Sequence, residues 1–283
     1  MDDRRTKTAA TWPWVLVCVV LCAGIGWYVF HGNVSTLATQ TPEAPQEQAT
    51  TIAPSQTNPD ASDKNSGTRN LPEQHPIPEN KQNPKLPDLE HSDTAAWRAL
   101  DTLTGSAPEL RVVEKDHLIQ RIVAFVDSLT QLSPPATPTL FKPISGALVV
   151  EKNAQGQTVI APANAARYAP YVHLMSSIPA DSIVSVYVSA YRLFQSAYKD
   201  LGYPNRHFND RVIQVIDHLL HTPENSEPIV VVQNALGHYD FADPRLQSCS
   251  MGQKALLRLS PSQRAQVEEQ LRRIRGALLH LDH

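Results

Sequence analysis

An α-rich α+β domain, mostly helical with one small β-hairpin, is predicted for residues 86–283, preceded by a transmembrane helix and a disordered linker. Three observations predict it. Beyond position 86 apolar residues recur at three- and four-residue spacing in successive stretches, the period of helices buried on one side. One stretch, ALVVEKNAQGQTVIAP, instead sets two β-branched runs around a short turn. Before position 86 the chain has almost no large apolar side chains outside a single uninterrupted run at 12–30.

That run, WPWVLVCVVLCAGIGWYVF, contains 19 residues and no charge. At about 1.5 Å per residue it just crosses a hydrocarbon core of roughly 30 Å. Trp12 and Trp14 at one end, and Trp27 and Tyr28 at the other, place amphipathic rings at both interfaces. Arg4, Arg5 and Lys7 precede the span and no Lys or Arg follows until Lys64, so residues 1–11 are expected in the cytoplasm and the rest exported. Val17 before Cys18 and Leu21 before Cys22 exclude a lipoprotein box, and Thr36-Leu37-Ala38 offers only a weak cleavage site. Cys18, Cys22 and Gly26 align small side chains on one helix face, the pattern of anchors that dimerise in the membrane.

Residues 31–85 are rich in Pro, Gln, Asn and Thr, too polar to bury enough surface to offset the entropy of ordering them. They read as a disordered tether spanning on the order of 40 Å.

The domain then follows element by element. A helix is predicted near 93–104, with Ala96, Trp97, Leu100 and Leu103 on one face and Gly105 as its stop, and another near 115–130, with Leu118, Ile122, Phe125, Val126 and Leu129 aligned. The hairpin turns at NAQG, and PIVVV at 228–232 is a short strand that joins it. Helices are expected at 163–177 and 181–201, the second stopped by Gly202. Phe208, Val212, Val215, Ile216 and Leu219 line the core face of the helix that follows. Ser250 with Gln253 and Ser260 with Gln263 each form the Ser-x-x-Gln signature of a capping box, the second with proline at the first helical position.

Chemistry is harder to find. The net charge of −3 leaves no basic footprint for nucleic acid. Cys249 is the lone cysteine outside the span, so no intrachain disulfide is expected there. The sequence lacks HExxH, paired CxxC, GxSxG and a glycine-rich phosphate loop, so no catalytic residue, metal or cofactor is assigned. Two surfaces remain as candidates. On 181–201 the tyrosines Tyr187, Tyr191 and Tyr198 and Gln195 lie between the apolar and polar faces, and with Arg167, Tyr168, Asp210 and Arg211 they form the expected partner surface. Asp210, Asp217, His218 and His221 share the polar side of the 208–220 helix, where they would converge if the domain were a periplasmic hydrolase. The favoured expectation is an envelope interaction or scaffold module facing an envelope protein or a cell-wall component.

The motifs RYAPYV, LFQSAYKDLGYP, FNDRVIQVIDHLL and FADPRLQSCSMGQKALLRL, with LPDLEHSD at the opening of the domain, resemble the bacterial domain-of-unknown-function family numbered 3014. The resemblance runs from about 86 to 281. It implies a proteobacterial protein with one N-terminal membrane anchor, which puts 12–30 in the bacterial inner membrane and the domain in the periplasm, and it brings no activity. Where the family usually carries a glutamate this chain has Gln247, so no carboxylate role carries over to that position.

Overall fold

The first helix, α1 (Asp93–Thr104), ends as expected at Gly105, which takes the left-handed conformation (φ 62°). Its first residue also starts the next helix. The Asp93 carboxylate accepts the backbone N–H groups of His117 (2.8 Å) and Leu118 (2.9 Å), donors that α2 (Leu118–Ser128) cannot satisfy internally. Helix α2 therefore starts at 118 rather than 115, behind a left-handed His117 (φ 50°) that turns those donors toward α1. The structure, a computed structural model, describes residues 72–133, 139–142, 146–225 and 228–281. The predicted span at 12–30, its Cys18, Cys22 and Gly26 face, and the linker up to 71 lie outside the described residues. Among those described, no helix is long and apolar enough to cross a membrane.

The strands make two hairpins rather than one. β1 (Val150–Lys152) pairs with β2 (Thr158–Ile160), and β3 (Val231–Gln233) pairs with β4 (Tyr239–Phe241), both antiparallel. The turns share one plan, Asn-Ala-X-Gly. In each, the asparagine N–H reaches across to the residue after the glycine, its side-chain oxygen accepts two backbone N–H groups, and the glycine is left-handed (φ 77° at Gly156, 79° at Gly237). The predicted contact between the 228–232 strand and the first hairpin is present: Ile160 N–H donates to Ile229 O at 3.0 Å beside a bridge between Val159 and Val230.

Helix α3 (Asn164–Ser176) lies where periodicity placed it. The long helix expected at 181–201 is two, α4 (Ala180–Ser189) and α5 (Tyr191–Asp200), broken at Ala190 (φ −98°, ψ 7°). The Ser189 carbonyl freed by the break accepts the N–H of Asn83 at 2.9 Å. That contact moves the domain boundary. Residues 72–85 were assigned to the linker, yet they pack on the domain, with Ile77 only 5% exposed in the main core and the Lys81 ammonium on Leu281 O. Composition misses this strap because the contacts that hold it to the domain are made to distant parts of the chain.

Helix α6 (Phe208–Leu220) is followed, after the second hairpin, by the short α7 (Pro244–Gln247), then α8 (Met251–Leu257) and α9 (Pro261–Leu279). Both predicted capping boxes form, at Ser250 with Gln253 and at Ser260 with Gln263. Helix α9 packs across α3, α4 and α6, while α2 packs on α5 and α6, so α6 bridges the two groups. Its Val215, Ile216 and Leu219 are fully buried, each contributing about 1.5–3 kcal/mol of apolar burial. Where α8 meets α2 and α6 there is no room for a side chain: a Cβ on Gly252 would lie 2.8 Å from Leu129 O and 2.5 Å from a Leu219 methyl. The second hairpin has its own small cluster of Val231, Phe241, Leu246, Leu257 and the free, buried Cys249.

Candidate functional site

The residues singled out by sequence gather around α6 but do not form one site. At its N-terminus, Gln195 of α5 supplies the cap that His207 does not. Its side-chain oxygen accepts the Phe208 N–H (2.8 Å) and the Tyr191 hydroxyl (3.0 Å), and its amide donates to Arg206 O (2.7 Å). The same first turn holds the strap. Asp210 accepts the N–H groups of Gln74 (3.0 Å) and His75 (2.8 Å) and contacts the His75 ring at 3.0 Å, while buried Asn209 donates to His75 O at 2.8 Å. His207 faces Glu73 at 3.4 Å. A cavity of about 290 Å³ lies beside this seam, with Pro72, Gln74, Asp210 and Arg211 in its wall.

Arg211 is not a surface group. Only 9% exposed, it bonds Asp127 Oδ1 (2.8 Å), Asp127 O (3.0 Å), Thr130 Oγ1 (2.7 Å) and Gln214 Oε1 (2.8 Å), while the Tyr203 hydroxyl donates to Asp127 Oδ2 (3.1 Å). The pair is enclosed and its hydrogen-bonding groups are taken up, the condition under which a buried ion pair is tolerated.

The expected tyrosine surface is corrected outright: Tyr168, Tyr187, Tyr191 and Tyr198 are all buried. Tyr187 meets Tyr191 edge-on with centroids 5.7 Å apart, and Tyr198 stacks on Tyr203 at 4.6 Å. Burial raises the pKa of all four, and it pushes Tyr203 up to about 12 with help from the Asp127 charge, so these phenols stay neutral. The helical wheel put three of them at an edge, which is a rim only if nothing packs there; α2, α6 and the strap do. Arg167 donates to Asn164 Oδ1 (3.1 Å) and Gly146 O (2.7 Å), tying α3 to the loop before the first hairpin.

The carboxylates and histidines of α6 also go separate ways. Asp217 pairs with Arg275 of α9, His218 contacts Ser250 Oγ at 2.8 Å, His221 turns back onto Asp217 O at 2.6 Å, and Asp210 belongs to the strap. Helical spacing set them on one side; the neighbours drew them apart. No group of three or more His, Cys, Asp or Glu able to hold a metal occurs among the described residues. Gln247 accepts the Phe241 N–H at 3.0 Å, a bond that a glutamate would make equally well.

The profile of a family described as "Protein of unknown function (DUF3014)" matches residues 118–275. The chain belongs to that family. No curated protein and no solved structure matches it. The DUF3014 match begins at the first residue of α2 and ends at Arg275, the partner of Asp217. It takes in both hairpins and all of α6, whereas α1 and the strap lie outside it. The residues that sequence reasoning missed are Asp127, His75 and Arg275, each of which meets α6 from far along the chain. None carries a local signal.

Proposed function

We propose that the chain is a single-pass protein of the bacterial inner membrane, anchored by residues 12–30, whose DUF3014 domain serves in the periplasm as a binding and scaffold module. The observation that carries this reading is the fate of the α6 polar groups. Asp210, Arg211, His218 and Asp217 each form a bond that fastens α6 to the strap, α2, α8 or α9, while His221 folds back on its own helix, so the residues a hydrolase would have gathered are dispersed and most of them act as fasteners. The strap suits a tethered domain, because residues continuous with the tether are stitched to α6 and to the end of α4, where a pull on the tether is passed to the core. The charge asymmetry around 12–30 supports the orientation.

The reading is tested in cells. A reporter that fluoresces only in the cytoplasm, fused after His283, is expected to be dark, and in-cell crosslinking of the full chain is expected to capture an envelope partner. A bright reporter reverses the orientation.

A further inference from the structure

A cleft of about 480 Å³ opens between the start of α3, the approach to β3 and the turn from α8 into α9. It holds none of the candidate partner or catalytic residues, and it is within the range of small-molecule sites. Ile160, Ile229, Leu257 and Leu259 supply apolar wall, and Arg258 lines it as well.

Arg258 differs from the other enclosed arginine of the domain. It and Arg211 are each 9% exposed. Arg211 has a carboxylate and uses its whole guanidinium. Arg258 stands 4.7 Å from the centroid of the Phe241 ring and donates Nη1 to Lys254 O at 3.1 Å, while its buried Nε has no acceptor and no carboxylate lies within ion-pair distance of it among the described residues. The Tyr168 hydroxyl, close enough to feel its charge, is a second buried polar atom without a partner. Lys254 adds another half-buried cation beside it. Burial lowers the pKa of Arg258, the cost expected of a desolvated cation, yet an arginine stays charged.

The acids nearby are occupied or at the rim. Asp240, whose charge acts on Arg258 without pairing with it, accepts from Asn234 Nδ2 at 3.2 Å, Glu268 is held by Arg264 and Arg272, and Glu224 is exposed at the mouth. The first turns of α3 and α9 face the same cleft through Asn164, Ala165, Ser260 and Pro261, and their dipoles favour negative charge there. Arg258 in the lining of a largely apolar cleft fits a carboxylate joined to an apolar body. Arg264 also lines the cleft, but its guanidinium is taken up by Glu268 and the carbonyls of Pro223 and Thr222; the one arginine left without a carboxylate suits a singly charged group better than a phosphate dianion, which calls for more donors.

We propose that this cleft binds the carboxylate of a small apolar acid or of a peptide C-terminus, with Arg258 as the anion anchor and Ile160, Ile229 and Leu257 around the side chain. The proposal deepens the reading of the domain as a binding module. It stands apart from the membrane orientation, which the reporter fusion tests by itself.

The test is titration calorimetry on the full chain in detergent micelles with N-acetyl-leucine, its carboxamide, the dipeptide N-acetyl-alanyl-leucine and inorganic phosphate. The two acids are expected to bind, and the neutral amide to bind weaker by roughly tenfold or more, the worth of a charge-assisted hydrogen bond. A tighter dipeptide identifies a peptide C-terminus as the source, and a tighter amino acid derivative a free acid; either supports the site. Arg258→Met is expected to abolish binding of both acids. Ala165→Phe leaves the arginine in place and fills the cleft, and it is expected to do the same should the first variant fold poorly. Absence of binding by either acid, equal binding of acid and amide, displacement of the acid by equimolar phosphate, or unchanged binding in Ala165→Phe would each overturn the proposal.

Discussion

At the N-terminal end of α6, Arg211 and Asp127 meet almost out of water, with side chains 9% and 10% exposed. At the C-terminal end of the same helix, Asp217 and Arg275 meet at the surface, 40% and 37% exposed. The residue types match and both pairs join α6 to another helix, so burial is the variable. In the enclosed pair each charge depends on the other, because losing one leaves an uncompensated ion in a poorly polarisable interior. In the open pair water and salt replace whichever partner is lost. Charge pairing along one helix thus ranges from a condition of folding to a decoration, and the helical wheel draws both alike.

The sharpest way to break the comparison is to remove the buried acid. Asp127→Ala strands Arg211 and is expected to destabilise the domain by about 3–5 kcal/mol, read by thermal or urea unfolding. The double replacement Asp127→Leu with Arg211→Met removes both charges and is expected to recover most of that loss; if it unfolds as readily as the single variant, the stranded charge was not the cause.

The contact between α8 and the C-terminal end of α6 comes next. Gly252→Ala would drive a methyl against Leu129 O and Leu219, and its expected cost is about 1–3 kcal/mol in the same unfolding measurement. Unchanged stability would mean that this end of α6 is packed more loosely than it looks.

Asp210→Ala tests the strap. It removes the acceptor of two backbone N–H groups, with an expected loss of about 1 kcal/mol for each bond not replaced by water. Faster amide exchange at Gln74 and His75 and earlier cleavage by added protease near 72–77 are expected while the main melting transition stays cooperative. Protection equal to wild type would detach the strap from Asp210.

The smallest effect belongs to Asp217→Ala, expected within about 0–1 kcal/mol and smaller still in high salt. A loss as large as that of Asp127→Ala would erase the distinction between the two ends.

How legible was this in the sequence? Where a structure rests on hydrogen bonds between near neighbours, it was readable. Gly105 stops its helix and Gly202 is left-handed, both as expected, and the Ser250–Gln253 and Ser260–Gln263 boxes close as written. The first Asn-Ala-X-Gly turn was read and the second overlooked, although NALG carries the same signal as NAQG. Leu236 at its tip, 78% exposed, made the segment look apolar and continuous. The apolar stripe of α6 was likewise correct, since a 3.6-residue period needs no knowledge of the partner.

The sequence by itself therefore determined the class of domain, most helix positions and the DUF3014 family. Only the tertiary structure decided what the polar and aromatic side chains do. Tyr191 and Tyr198 became core because α6 and its neighbours close over them, Gln195 became a cap for a helix beyond its own, and Asp210 received backbone from residues 74 and 75. Arg258, the residue that follows α8, carries no signal of its own in the sequence and became a cation without an ion-pair partner in the lining of a cleft. The physical reason is range. Caps, turns and periodicity are settled within about one helical turn, whereas burial and pairing depend on which distant segments arrive, and the same amphipathic side chain serves as rim, core or ligand according to what packs on it.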